Sequence, residues 1–298
     1  MAVFLILGFL ATACGSRDTQ AQDTGGDYFT NLINNIKKTV VFIGRPGPEG
    51  DVQYFATGFL IQVQNIFHLV TAKHVVVNKL TGRMQDEDLV VSLNRKGGGI
   101  ISRSIKDLKD QYGVNWIFHG NKDVDVAIIP FRLVPSQDDV KVIPDSLFLA
   151  LDGVFELNDV FFLSFQPGLE SEAEIEPIIR SGVVSMIGDD GSFYLDAAAF
   201  PGNSGSPVFL RPSPMRYNRE GQGVSLYGKD PLGGKFIGII GDYVAYRDVA
   251  VSAHTGAPRI VFEENTGLSK VWSVTFIEEI IGSPSFQKQL RKILRENR

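Results

Sequence analysis

The chain has 298 residues, 44% of them hydrophobic and 21% charged, with a formal net charge of −5. That length suits one or two ordinary globular cores, and the acidic balance leaves no basic field for nucleic acid. A single cysteine, Cys14, excludes any intrachain disulfide. Met1 to Ala13 is almost wholly apolar but too short to span a bilayer as a mature helix. It matches the apolar region of an export signal, with Ala11-Thr12-Ala13 as a small-residue cleavage pattern, although a basic leader is missing.

Cys14 directly follows and resembles a bacterial lipoprotein box, which makes it a candidate lipidation site and membrane anchor. The expected location is therefore a bacterial cell envelope, periplasmic or membrane-anchored, or the exterior. Residues 14–27 are polar and read as a tether. Phe29, Leu32, Ile33 and Ile36 have helical spacing behind Asp27 as cap, and Thr39–Ile43 reads as a first strand. Further strands are predicted at 53–63, 66–71, 89–93, 115–119, 124–129, 160–165, 182–187, 193–195, 208–210, 236–244 and 259–262. Many short strands with few helices between them argue for an all-β sandwich or barrel. Val134–Leu147, with two prolines, reads as the link between two halves, and Arg211–Gly234 as a long surface loop. At the C-terminus Thr275 and Glu278 form a capping-box pair, and Ser283-Pro284 opens a second helix with Phe286, Leu290, Ile293 and Leu294 on one face. The basic opposite face reads as solvated surface.

Three stretches carry chemistry: Thr71-Ala72-Lys73-His74-Val75-Val76, Asp125-Val126-Ala127-Ile128-Ile129 and Pro201-Gly202-Asn203-Ser204-Gly205-Ser206-Pro207. A hydroxyl needs a base to take its proton, and a carboxylate fixes the imidazole's tautomer and stabilises its charged form. Gly202 and Gly205 bracket Ser204, so the N–H groups of Gly202 and Ser204 are free to converge on an oxyanion. The hydrolase elbow G-x-S-x-G is excluded because residue 206 is serine. Of four histidines, His74 closes an apolar strand; His68 lies mid-strand and reads as structural, and His119 and His254 sit in turn-like settings. Asp125 leads a buried run and needs a partner; Asp123 shares its strand parity and stays a fallback. The order histidine, aspartate, serine distinguishes this arrangement from other convergent triads. The sequence carries no metal-ligand motif and no phosphate-binding glycine fingerprint, so neither metal nor cofactor is expected.

Over about Thr39–Leu268 these stretches resemble the chymotrypsin-fold serine endopeptidases, especially bacterial trypsin-like and Deg-type proteases. Thr57-Gly58-Phe59-Leu60-Ile61 and Phe236-Ile237-Gly238-Ile239-Ile240-Gly241 add to the likeness. The resemblance implies two antiparallel six-stranded β-barrels with N-terminal and C-terminal helices. It divides the chain into a signal (1–13), a tether (14–27), helix and first barrel (28–140), second barrel (141–268) and C-terminal helices (269–298). It implies His74 as general base, Asp125 as its orienter, Ser204 as nucleophile, and Gly202 and Ser204 as oxyanion donors. It further implies substrate backbone pairing at Gly238, Ile239 and Ile240, and a neutral pocket floored near Ala198 that takes apolar side chains. Asp242 either lends charge nearby or sits in a turn. Lys73 stands where alanine is usual and Asn203 where aspartate is common, and the disulfides usual in secreted animal relatives are missing. No Deg-type peptide-binding domain is expected after Trp272. The expected partner is a protein or peptide substrate; the competing reading is a silent scaffold or a latent protease of the same fold.

Overall fold

In the computed structural model the described residues are 25–212, 215–217, 224–226 and 234–296. The apolar leader, Cys14 and most of the 211–234 segment lie outside them. Helix α1 (Gly25–Lys37) begins inside the expected tether. Its Leu32, Ile33 and Ile36 pack on the core, which draws the helix on through the polar residues before them.

Seven strands follow in one antiparallel sheet: β1 (Val40–Pro46), β2 (Val52–Val63), β3 (Ile66–Thr71), β4 (Val90–Asn94), β5 (Ile100–Ser104), β6 (Ile117–Phe118) and β7 (Ala127–Pro130). The order is β5-β4-β1-β2-β3-β7-β6. The four-residue helix α2 (Lys73–Val76) follows β3, and α3 (Ile105–Tyr112) joins the two edge strands β5 and β6. The first half is thus an open seven-stranded sheet, not the expected closed six-stranded barrel. Helix α3 occupies the opening: it buries Ile105 and Leu108 in the same core as Val41, Leu60, Leu69, Leu93 and Ile129. Side chains rather than a hydrogen-bond ladder fill the gap.

The second half closes. Strands β8 (Asp159–Ser164), β9 (Ile178–Ile187), β10 (Ser192–Asp196), β11 (Pro207–Leu210), β14 (Phe236–Val251) and β15 (Pro258–Ser273) form a six-stranded barrel ordered β10-β15-β14-β11-β8-β9. Among the described residues the short strands β12 (Met215–Tyr217) and β13 (Val224–Leu226) pair only with each other. Phe162, Val184, Phe193, Leu195, Ile237 and Val271 fill the barrel. Strand β15 carries the barrel to Ser273, five residues beyond the expected boundary at 268, because Ser269, Val271 and Trp272 pair with both β10 and β14.

A further core joins the halves. Phe59 of β2 meets Phe236 of β14 with ring centroids 5.1 Å apart. Helices α4 (Val274–Gly282) and α5 (Pro284–Glu296) add Phe276, Ile277, Phe286 and Leu290 to that cluster. Ser273, not Thr275, precedes α4 as its N-terminal flank, and no side chain caps it. Ser283 does cap α5, accepting from the Phe286 N–H at 3.3 Å. The linker between β7 and β8 crosses between halves, with Ile143 bridging to Ile61 and Phe148 to Phe236. Among the described residues no helix is long and apolar enough to cross a membrane.

Candidate active site

His74 sits where β3 turns into α2, at the junction of the two halves. Its Nδ1 lies 2.6 Å from Asp125 Oδ2, and its backbone N–H donates to Asp125 Oδ1 at 2.8 Å. The two contacts use both carboxylate oxygens and fix the ring. With Nδ1 donating to the carboxylate, Nε2 is left as the acceptor. Gln85 Nε2 donates to the His74 carbonyl at 2.9 Å and steadies the helix behind the ring. Burial by itself would raise the Asp125 pKa; the hydrogen bonds and charge of His74, with Lys79 beyond, outweigh it and hold the carboxyl below its ordinary value.

The other candidates fall elsewhere. Asp123 is exposed and caps an Asx turn through its own N–H to Asn121 Oδ1. His68 is buried, stacked on Phe286 at 4.8 Å. His119 bonds Glu279 at 2.6 Å, and His254 lies at the tip of the β14–β15 hairpin. Lys73 reaches away from the site to the Lys122 carbonyl at 2.8 Å, which ties the loop bearing Asp125 to α2.

Ser204 stands on a turn whose sequence dictates its shape. Asn203 N–H donates to the Phe200 carbonyl at 2.9 Å, and Gly202 has φ +100. Proline then glycine at the centre of such a bond is the signature of a type II turn. A Cβ on Gly202 would lie 2.8 Å from the Phe165 ring. One on Gly205, at φ +88, would lie 2.0 Å from the Thr57 carbonyl oxygen, so only glycine fits. Among the described residues the N–H groups of Gly202 and Ser204 have no acceptor, while Gly205 N–H is spent on the Ile240 carbonyl at 2.8 Å.

Residues outside the three stretches hold this turn. Thr57 Oγ1 donates to the Gly202 carbonyl at 2.8 Å and accepts from Phe165 N–H at 2.9 Å. Thr57 N–H donates to the Ser204 carbonyl at 3.0 Å. Asn203 is fully buried; its Nδ2 donates to the Phe165 carbonyl at 2.7 Å and its Oδ1 accepts from Phe200 N–H at 2.9 Å. A carboxylate there would face the Phe165 oxygen with no proton to offer, which is the physical reason for an amide.

The Ser204 hydroxyl donates to the Gly241 carbonyl at 3.1 Å. Among the described residues it makes no hydrogen bond to His74. The next residue, Asp242, brings its carboxylate within 4.8 Å of donor atoms of His74 and Asp125. Serine and histidine therefore both face the Gly241-Asp242 dipeptide. Asp242 is part of β14, not of a turn, and pairs with Lys79 from the other half of the molecule. Each of the three clustered side chains has its own partner, and nothing calls for a cation there.

The expected substrate strand needs correcting. Gly238 pairs with both Val208 and Ser273, and Ile239 with both Pro207 and Trp272. Ile240 donates to the Ser206 carbonyl at 2.9 Å and accepts from Gly205. With both backbone edges used, Gly238, Ile239 and Ile240 have no edge left for another chain; the free edge of β14 begins at Gly241. Ala198 lies partly buried between β10 and the serine turn. Its neighbours are strapped to β15 by Ala197 N–H to Gly267 O at 3.0 Å and by Asn265 Nδ2 to Ala199 O at 2.6 Å.

No curated protein sequence matches the chain. A solved structure of a serine endoprotease from Yersinia pestis has a similar fold, at 13% identity and a TM-score of 0.50, covering 87% of this chain and 66% of that one. The chain thus spans just under two-thirds of that protein, and at such low identity the likeness is one of fold. The family model of the trypsin-like peptidase domain matches residues 56–212. That match takes in β2 from Ala56 on, the His74 corner, Asp125 and the whole serine turn, just over half of the chain, and the chain belongs to the trypsin-like peptidase domain family.

Proposed function

We propose that this protein is a serine endopeptidase in which Ser204 is the nucleophile, His74 the general base and Asp125 its orienter. The observation that carries the reading is the His74–Asp125 pair, which leaves Nε2 as an acceptor facing the same Gly241-Asp242 dipeptide as Ser204, whose turn has two N–H groups without an acceptor among the described residues. A peptide laid along the free edge from Gly241 brings an N–H to the Gly241 carbonyl. That N–H takes over the acceptor on which the Ser204 hydroxyl rests, and the hydroxyl swings to Nε2. Its oxygen attacks the peptide carbonyl as the proton passes to His74. The oxyanion settles on the N–H groups of Gly202 and Ser204. His74 returns the proton to the leaving amine, and water then releases the acyl group by the reverse steps. Ala198 and its alanine neighbours wall a neutral pocket for an apolar side chain before the scissile bond.

The resting Ser204–Gly241 bond also favours a second reading, a latent enzyme that turns over only when an extended chain displaces that bond. We further propose export, supported by the apolar run Met1–Ala13, with lipid attachment at Cys14. Fatty-acid labelling in a bacterial host that is lost in Cys14→Ser supports the anchor; equal labelling of both excludes it.

The test of the peptidase is labelling by a fluorophosphonate together with digestion of an unfolded protein. The parent labels and digests; Ser204→Ala does neither, with turnover down about ten-thousand-fold or more and an unchanged thermal midpoint. Digestion by Ser204→Ala at the parent rate would remove Ser204 from the mechanism. Failure of the folded parent to label or digest, even with a long extended peptide, would favour the scaffold.

A further inference from the structure

Beyond Ile240, β14 leaves the barrel. Up to that residue it is paired on both sides, with β11 and with β15. From Gly241 to Val251 its strand partner among the described residues is β15 alone. The change comes at a bulge: Ile240 faces Val271 and Tyr243 faces Ser269, so Gly241 and Asp242 together oppose one residue. Bulges re-aim backbone groups next to functional sites, and this one presents the Gly241 carbonyl to Ser204. The result, among the described residues, is a strand edge with no neighbouring strand that starts at the nucleophile and runs out for about 35 Å, with further register shifts after Tyr243 and Ala250.

The ribbon that carries this edge bears exposed apolar side chains on both faces, among charged ones. The register Tyr246↔Glu264, Asp248↔Phe262 and Ala250↔Ile260 places Tyr246, Phe262 and Ile260 on one face. Val249 and Val261, paired directly, lie on the other. All five are at least 43% exposed. A two-stranded ribbon is barely stable by itself in water, and apolar side chains on both faces raise its cost further. A third strand on the free edge would satisfy its remaining N–H and C=O groups, the Val249 N–H being bonded to Asp248 Oδ1 at 2.7 Å, and cover both faces at once, since its own side chains alternate. Antiparallel addition is the more stable pairing. A chain running antiparallel to β14 enters at the tip and delivers its C-terminal end to Ser204. The occupant that fits is thus the segment preceding the scissile bond. Continuity with the site favours it over a second copy of this chain, and Arg247, Asp248, Glu263 and Glu264 break up the ribbon's surface against flat self-pairing.

We propose that the β14–β15 ribbon is a substrate-binding arm that captures an extended, β-prone, apolar polypeptide segment by strand addition and feeds its C-terminal end into the site. The proposal rests on the peptidase reading, and its test separates the two. Fluorescein-labelled peptides of alternating valine and threonine are used, with roughly four, seven and ten residues before a common Ala-Ala bond. Their binding to Ser204→Ala protein is followed by anisotropy, and their cleavage by the parent is followed in parallel. Affinity is expected to rise about tenfold or more from shortest to longest, as several main-chain hydrogen bonds are added. Methylating alternate backbone nitrogens of the longest peptide should erase the gain. So should replacing residues 246–264 by an Asn-Gly turn, which links the paired Ala245 and Asn265, judged by the ratio of long-peptide to short-peptide affinity within that variant. Equal affinity at all lengths, indifference to methylation, or a retained gain in the shortened variant overturns the arm. So does a ribbon found buried between copies, read as a loss of oligomer on shortening with no length dependence in the parent. Length-dependent binding without any cleavage sustains the arm and sinks the peptidase.

Discussion

The hydroxyl of Thr57 belongs to one half of the molecule and the turn it holds belongs to the other. It offers one proton to the Gly202 carbonyl and one lone pair to the Phe165 N–H, both buried. Thr57→Val keeps the shape and removes both bonds, leaving a buried donor and a buried acceptor unpaired. The expected cost is about 2 kcal/mol of stability, with kcat down roughly tenfold to a hundredfold because the oxyanion donors lose their fixed aim. KM should change far less, and Thr57→Ser should recover most of both. Urea denaturation with steady-state kinetics on the three proteins checks this; a kcat in Thr57→Val equal to the parent's would remove Thr57 from the positioning of the turn. The type II turn itself is readable in Pro201-Gly202, whereas the need for glycine at 205 comes from the distant Thr57 carbonyl. Thr57 is legible in the sequence only as part of a motif, because its role depends on two atoms from residues more than a hundred positions away.

At the scale of elements, local signals fared unevenly. The end of the strand before His74 and the start of the helix at Ser283-Pro284 follow from short-range chemistry and appear where expected. Strand β5 has only two apolar residues and is an edge, so little of its sequence betrays it. Helix α3 carries apolar residues at 105, 108 and 112, a helical spacing, with Ser104 as its cap and Gly113 at φ 57 as its stop. Eight residues are too few to hold a helix without tertiary packing. Helix α5 depends on the same kind of support. Phe286 is 1% exposed and stacks on His68, and Leu290 is equally buried. Phe286→Ala should cost about 3–5 kcal/mol, read as a lower urea midpoint. A change below about 1 kcal/mol would mean that α5 is a loosely held appendage.

On the scale of the whole molecule, the core between the halves makes stability depend on pH. His68 is buried there and its pKa is lowered from 6.5 to about 4, burial outweighing its hydrogen bond to the Ile66 carbonyl. Between those values the unfolded chain takes up a proton that the folded protein refuses, so stability falls as pH drops from about 6.5 toward 4, by about 3 kcal/mol in all. Asp125 acts in a lower window: its depressed pKa gives stability that is present above the ordinary carboxylate value and lost as pH falls through the folded one. His68→Phe keeps the ring stack without the titration, and its urea midpoint should drop less than the parent's between pH 7 and about 5. Equal drops in the two proteins would place the acid sensitivity elsewhere. The order of the three reactive stretches, the shape of the serine turn and the β-rich class were determined by the sequence alone, because each rests on residue type and short-range geometry. The open first sheet, the paired edges of Gly238–Ile240, the strut from Thr57 and the length of the free ribbon were decided only in three dimensions. Each of these depends on which backbone groups find partners from distant parts of the chain, and hydrophobic spacing along one strand carries no record of what lies on either side of it.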